Sequence, residues 1–253
     1  MSRFPRMAMV KQEFPRPQVE NIAQTVRTEI QEKLLHNQSI QGKSIAVAAG
    51  SRGITNLALV TRTAVDTLRD LGAQPFIIPA MGSHGGGTEA GQKQILADYG
   101  ITEESMGVPI KPSLETVRIG ETPEGIPVHL AKTVYEADGI LMINRIKPHT
   151  DFHGVVESGL LKMIAIGLGK IDGALNFHSG CFDHPHSELI LSIGRVVLQS
   201  GKILGGIALL ENATHETALI EAIPPEQIEE REKALLPAPA NSCPPCRSKK
   251  RMC

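Results

Sequence analysis

Between residues 18 and 36 the apolar positions Val19, Ile22, Ala23, Val26, Ile30 and Leu34 recur at helical intervals with polar residues between them, which predicts an amphipathic helix. The rhythm changes at 43–50, where "KSIAVAAG" is a short unbroken apolar run, read as a buried strand that ends in "GSRGIT". Leu57, Val60, Ala64, Leu68 and Leu71 then share one face of a helix over 56–71, with Thr55 placed to cap it and Gly72 to close it. A second strand, "PFIIPAMG" (75–82), leads through "SHGGGT" to a helix that Thr88 can cap, ending near Tyr99 with Gly100 as its stop signal. Two rounds of strand, loop and helix predict a parallel sheet covered on both faces. "ETVRIGETPEGIPVHLAK" (115–132) breaks the pattern with an alternation and a turn that read as an antiparallel hairpin. "GILMI" (139–143) returns to the parallel pattern, followed by helices over 157–168 and 187–200, the strand "ILGGIALLE" (203–211) and a charged helix over 224–236. The expected fold class is α/β: a Rossmann-like parallel sheet with helices on both faces plus a β-hairpin insertion, with no repeat of solenoid length.

Composition alters this picture mainly at the end of the chain. Residues 237–253, "PAPANSCPPCRSKKRMC", have no periodicity, four prolines and a basic close, and read as a disordered or aberrant tail beyond a domain spanning 1–236. Three of the four cysteines, Cys243, Cys246 and Cys253, fall in that tail, leaving Cys181 alone in the body without a disulfide framework, as in a reducing compartment. A lone CxxC is a weak metal or redox signal. Elsewhere, 253 residues with 41 % apolar content suffice for a sizeable core. A net charge of −1, no Trp and two Tyr argue against nucleic-acid binding. There is neither an apolar run long enough to span a membrane nor a signal-peptide pattern, so a cytoplasmic location is expected.

Ligands of open parallel sheets bind at the carboxyl ends of the strands. Four glycine-bordered stretches are assigned to such loops, carrying Arg52 in "GSRGIT", His84 in "GSHGGGT", His149, Asp151 and His153 in "KPHTDFHG", and His178 in "NFHSG". Arginine can grip a carboxylate with two hydrogen bonds, and histidine exchanges protons near neutrality. "SHGGGT" lacks the order of a P-loop or of GxGxxG, but it can serve as an anion cradle before a helix. His149 and His153 have zinc-pair spacing, with "DHPH" (183–186) as a source of a third ligand, although Pro148 disfavours a regular helix there. Lys162, in "SGLLKM", follows two leucines and reads either as a snorkelling surface residue or as a desolvated nucleophile.

Over roughly 45–180 these motifs, in this order, resemble the nickel-dependent lactate racemase family. The resemblance implies Arg52 as the substrate-carboxylate ligand and His84 and His149 as the two acid–bases. It implies Lys162 as the anchor of a nickel-pincer nucleotide (a nickel complex of a pyridinium thiocarboxylate mononucleotide) and His178, sixteen residues on, as the nickel ligand. The stretch between the second histidine and the lysine carries extra residues, so His153, with Asp151 beside it, stands as a supporting neighbour of His149 or its substitute. The implied reaction is racemisation or epimerisation of a 2-hydroxy acid, lactate or another hydroxy or sugar acid, with cofactor-maturation proteins as partners. Family members carry a second, C-terminal domain, so this chain is expected to be a shortened form, open to water, that either binds the cofactor weakly or is inactive in isolation. A zinc-dependent hydrolase or lyase, a non-catalytic anion- or nucleotide-binding domain, and a ligand-free remnant of the fold are the competing expectations.

Overall fold

The apolar runs become the strands of a central sheet. In the computed structural model, which describes residues 11, 13–36 and 38–237, the chain forms β1 (Ser44–Ala49), β2 (Gln74–Pro79), β3 (Thr116–Glu121), β4 (Pro127–Ala131), β5 (Gly139–Arg145), β6 (Ile203–Glu211) and β7 (Thr217–Ile223). Five of these lie in the order β2-β1-β5-β6-β7, while β3 and β4 pair as the expected antiparallel hairpin. β1 is parallel to β2 and β5, and β5 to β6; β7 closes the edge antiparallel to β6. β7 is absent from the sequence reading. Its alternating burial is that of a half-covered edge strand, a weaker signal than the unbroken apolar runs of the inner strands.

The helices are α1 (Ile22–Glu29), α2 (Leu57–Asp70), α3 (Glu89–Asp98), α4 (Glu103–Met106), α5 (Lys132–Tyr135), α6 (Leu160–Lys162), α7 (Lys170–Gly180), α8 (His186–Gln199) and α9 (Ile228–Leu235). They cover both sheet faces. Ile45, Val47 and Ala49 of β1 pack with Val26 of α1, Val60 and Ala64 of α2 and Leu96 of α3, whereas Ala46 and Ala48 face Leu160, Phe177, Leu189 and Ile228 on the other side. Residues two apart on a strand share a face, so one strand feeds both cores. None of the helices among the described residues is long and apolar enough to cross a membrane. Residues 238–253, with Cys243, Cys246 and Cys253, lie outside the described residues.

Three local expectations need correction. Thr55 does not cap α2. Its hydroxyl donates to the carbonyl of His215 (2.6 Å) and its amide to Glu211 Oε1 (2.8 Å), and Asn56 precedes the helix in the left-handed region. Thr88 does cap α3, accepting from the Gly91 amide at 3.0 Å. The helix expected over 157–168 is only one regular turn, α6, which passes into a wider turn over Met163–Gly167 with the Leu168 amide bonded to the Met163 carbonyl. Finally, "NFHSG" (176–180), expected as a loop, is the last part of α7.

The charged helix near the end also turns inward. Glu232 of α9 is fully buried and its Oε2 accepts from the Leu161 amide at 3.0 Å, so it clamps the start of α6. Gly159 leaves the room this carboxylate occupies: a Cβ there would force Glu232 to shift and disturb the clamp. The other oxygen, Oε1, has no hydrogen-bond partner, and burial lifts the Glu232 carboxyl from the ordinary 4.5 to about 7. A raised acid pKa in the fold means that the folded chain holds the proton more tightly. Stability is then greatest below the unfolded value and is lost as pH rises from about 4.5 to about 7. Glu232→Gln keeps an oxygen for the Leu161 amide and removes the charge. It is expected to flatten this slope and to be the more stable protein at about pH 8 by on the order of 1–3 kcal/mol, read from urea denaturation at about pH 5 and about pH 8. Parallel pH profiles for the two proteins would show that another group titrates.

Candidate active site

Three loops meet at the carboxyl edge of the sheet. Arg52 follows β1, His84 follows β2 and His149 follows β5. Because β1 lies between β2 and β5, the Arg52 loop stands between the two histidine loops. Together with the segment from α6 to α7 they enclose a cavity of about 560 Å³, whose wall includes Arg52, His84, His149, Lys162 and His178.

The His84 loop is held by its neighbours rather than by its own packing. Ser51 Oγ is hydrogen-bonded to His84 Nδ1, which leaves Nε2 free for proton exchange. The Tyr99 hydroxyl, at the end of α3, donates to the Ser51 carbonyl at 2.9 Å. "GGG" (85–87) turns through three successive left-handed residues, a course that glycine follows at little cost. Burial lowers the His84 pKa, and the cations of Arg52 and Lys162 lower it further.

The His149 loop is pinched at its base, where Lys147 and Ser158 exchange backbone hydrogen bonds of 2.8 and 3.2 Å. Inside the loop the buried Glu157 accepts from the amides of His149 and Gly154 and lies 3.4 Å from His153 Nδ1. The Asp151 amide donates to His149 Nδ1 at 3.1 Å, so Nε2 is again the nitrogen left for chemistry. His149 stacks on Phe152 (4.3 Å between ring centres), and Phe152 stacks in turn on His186 (4.9 Å). Burial, and then Lys162, lower the His149 pKa.

His153 does not join the cavity wall; its side chain is 83 % exposed. The loop is not helical, so the two histidines do not form a zinc pair on one helix face. Among the described residues, no group of three or more His, Cys, Asp or Glu side chains is placed to hold a metal ion. Asp151 reaches the cavity wall and lies 3.9 Å from His149 Nδ1, with its side chain mostly in solvent.

Lys162 and His178 lie on the remaining side. His178 sits on α7, one turn from its end, and is exposed, with its ring edge-to-face on Phe177. Lys162 lies over the Phe152 ring, 5.2 Å from its centre, and burial followed by the Arg52 charge brings its pKa from 10.5 down to about 8. Sequence reasoning missed Lys147, whose pKa burial and the neighbouring arginines also lower. Arg145, by contrast, is paired with Glu211. Among the described residues, Arg52, Lys147 and Lys162 have no carboxylate within ion-pair distance, so three cations without a direct ion pair border one cavity, with Asp151 as the carboxylate on its wall. Sequence reasoning also missed Ser51, Tyr99 and Glu157. Their roles are set by tertiary contacts, and only Glu157, a lone acid in an apolar setting, left a local trace.

A family model described as the lactate racemase N-terminal domain matches residues 6–189. Among solved structures, the fold is similar to that of the lactate racemase apoprotein from Thermoanaerobacterium thermosaccharolyticum, with a TM-score of 0.65 and 17 % sequence identity over 88 % of this chain. The match spans 57 % of the length of that protein. No curated protein sequence matches this chain. With the model covering most of its length and the fold agreeing, the chain belongs to the lactate racemase N-terminal domain family.

Proposed function

We propose that this chain is the cofactor-bearing half of a racemase or epimerase acting on a 2-hydroxy acid. The observation that carries the reading is the order of the three edge loops: an unpaired arginine stands between two histidines that arrive from the strands on either side of it. Inverting one stereocentre needs an anchor for the substrate and a proton carrier for each of the two faces, which is what this order offers.

Arg52 takes the carboxylate in a bidentate grip. Burial lowers the pKa of both His84 and His149, which favours their neutral forms; His84 Nε2 can then take a proton, whereas His149, whose Nδ1 accepts from the Asp151 amide, presents an Nε2–H. One imidazole removes the hydroxyl proton as C2 is oxidised to the planar 2-keto acid. After the acid turns over, the other imidazole gives the proton carried on its Nε2 to the carbonyl oxygen as C2 is reduced on the opposite face. When bound, a nickel-pincer nucleotide would supply the reversible two-electron acceptor for C2.

The residues present fit such a group. An anionic, phosphorylated nucleotide matches a cavity bordered by Arg52, Lys147 and Lys162, none of them in a direct ion pair among the described residues. Lys162, with its pKa near 8, has an appreciable unprotonated fraction for covalent attachment. His178 offers an accessible imidazole to a metal whose other donors come from the cofactor.

Two experiments test the reading. Intact-mass and nickel analysis of protein made in cells that synthesise the cofactor should find an adduct on Lys162 with stoichiometric nickel, lost in Lys162→Ala. Unmodified protein from such cells, or zinc without nickel, would overturn it. In the loaded protein, with conversion followed by chiral chromatography, His149→Asn should lower the rate by about 100-fold or more, the usual worth of a positioned acid–base. His153→Asn should weaken it only slightly, since that side chain lies outside the cavity wall. Equal losses in both variants would show that His149 has no special part.

A further inference from the structure

The most conspicuous polar group with no part in this chemistry is Lys170. It opens α7, its side chain is fully buried, and its φ of +55° lies in the left-handed region that a lysine rarely adopts. Its ammonium donates to the carbonyl of Pro79 (2.6 Å), at the end of β2, and to Gln92 Oε1 (3.0 Å), on α3. Gln92 is equally buried, and its Nε2 donates to the carbonyls of Gly82 (2.8 Å) and His84 (3.4 Å). The Gly82 amide is tied in turn to the Gly167 carbonyl at 3.2 Å, just before α7.

A buried cation without a carboxylate partner is costly, and burial pushes the Lys170 pKa down to about 8. A methionine or leucine would fill the same space without that cost. What an apolar side chain could not do is donate to acceptors on two separate elements. Lys170 and Gln92 form one buried relay from the head of α7, through the end of β2 and α3, to the backbone of the His84 loop.

We propose that Lys170, acting through Gln92, is a positioning residue that holds the His84 loop in register with the segment carrying Lys162 and His178. It touches neither substrate nor cofactor. The catalytic meaning of this register rests on the racemase reading, whereas the tie itself does not. The fold thus fixes the position of one proton carrier against the cofactor-anchoring segment from beneath, out of reach of solvent.

The test is made on the cofactor-free protein, by NMR titration of histidine imidazoles labelled with 13C and 15N. Lys170→Met removes the ammonium. Gln92→Glu gives the ammonium a carboxylate partner but deletes both N–H donors to the loop. In each variant the His84 pKa should rise by about half a pH unit or more toward the ordinary histidine value, as the loop leaves its buried place beside Arg52 and Lys162. His149, on the other side of the cavity, should titrate as in the parent protein. An unmoved His84 in Gln92→Glu, or His84 and His149 moving together as in general loosening, would overturn the proposal. If Lys170→Met does not fold, Gln92→Glu decides alone. Loss of the Lys162 adduct in the parent protein would count against the racemase reading and leave this result standing.

Discussion

β1 pairs in parallel with both of its neighbours, Ala49 opposite Pro79 on one side and Ile143 on the other, so three consecutive strands release the chain at a single edge. That register decides where chemistry can occur. The middle of each strand is buried on both faces and wholly apolar, and polar side chains stand only towards the ends, so the polar groups gather where the strands stop. The order of the strands in space, β2-β1-β5, then sets the order of Arg52 between His84 and His149, although in sequence Arg52 comes first.

Strand ends aim a loop without fixing it. A loop bordering a polar cavity has little apolar surface with which to pack, so buried hydrogen bonds must hold it. Each loop here has such an anchor. Glu157 collects two amides of the His149 loop, Glu232 clamps the amide of Leu161 beside Lys162, and Gln92 with Lys170 holds the carbonyls behind His84. All of these anchors come from elsewhere in the chain or from the far end of the loop, and all are charged or amide groups placed in the core at some cost. The fold gives up stability in these places to hold the site in one arrangement.

This division explains what the sequence could disclose. The inner strands, the hairpin and α3 with its Thr88 cap are written locally, in apolar runs and turn residues. Arg52, His84 and His149 were legible because each stands in a glycine-bordered loop directly after such a run. α7 was not: "KIDGALNFHSG" contains glycines that suggest a loop and has little amphipathic contrast, because its buried face carries Lys170, Gly173 and Gly180 while Leu175 stands exposed. Glu232 was read only as part of a charged helix and Lys170 was not singled out, since nothing within a few residues of either announces a partner about seventy to ninety positions away. Thr55 was misread for the same reason, as its partners lie on the β6–β7 turn and at the end of β6.

The electrostatics of the cavity point the same way. Arg52 lowers the pKa of both His84 and Lys162, and Lys162 lowers that of His149. The cations that can attract an anion therefore also weaken the bases around it. An anionic group settling beside Arg52 offsets its field, so the pKa values of His84 and Lys162 rise as the site fills, and by linkage the anion binds more tightly once those groups are protonated. Binding and proton uptake are thus coupled through Arg52. Only Arg52's part of each shift is released, because burial, the larger cause for both His84 and Lys162, remains when the site fills.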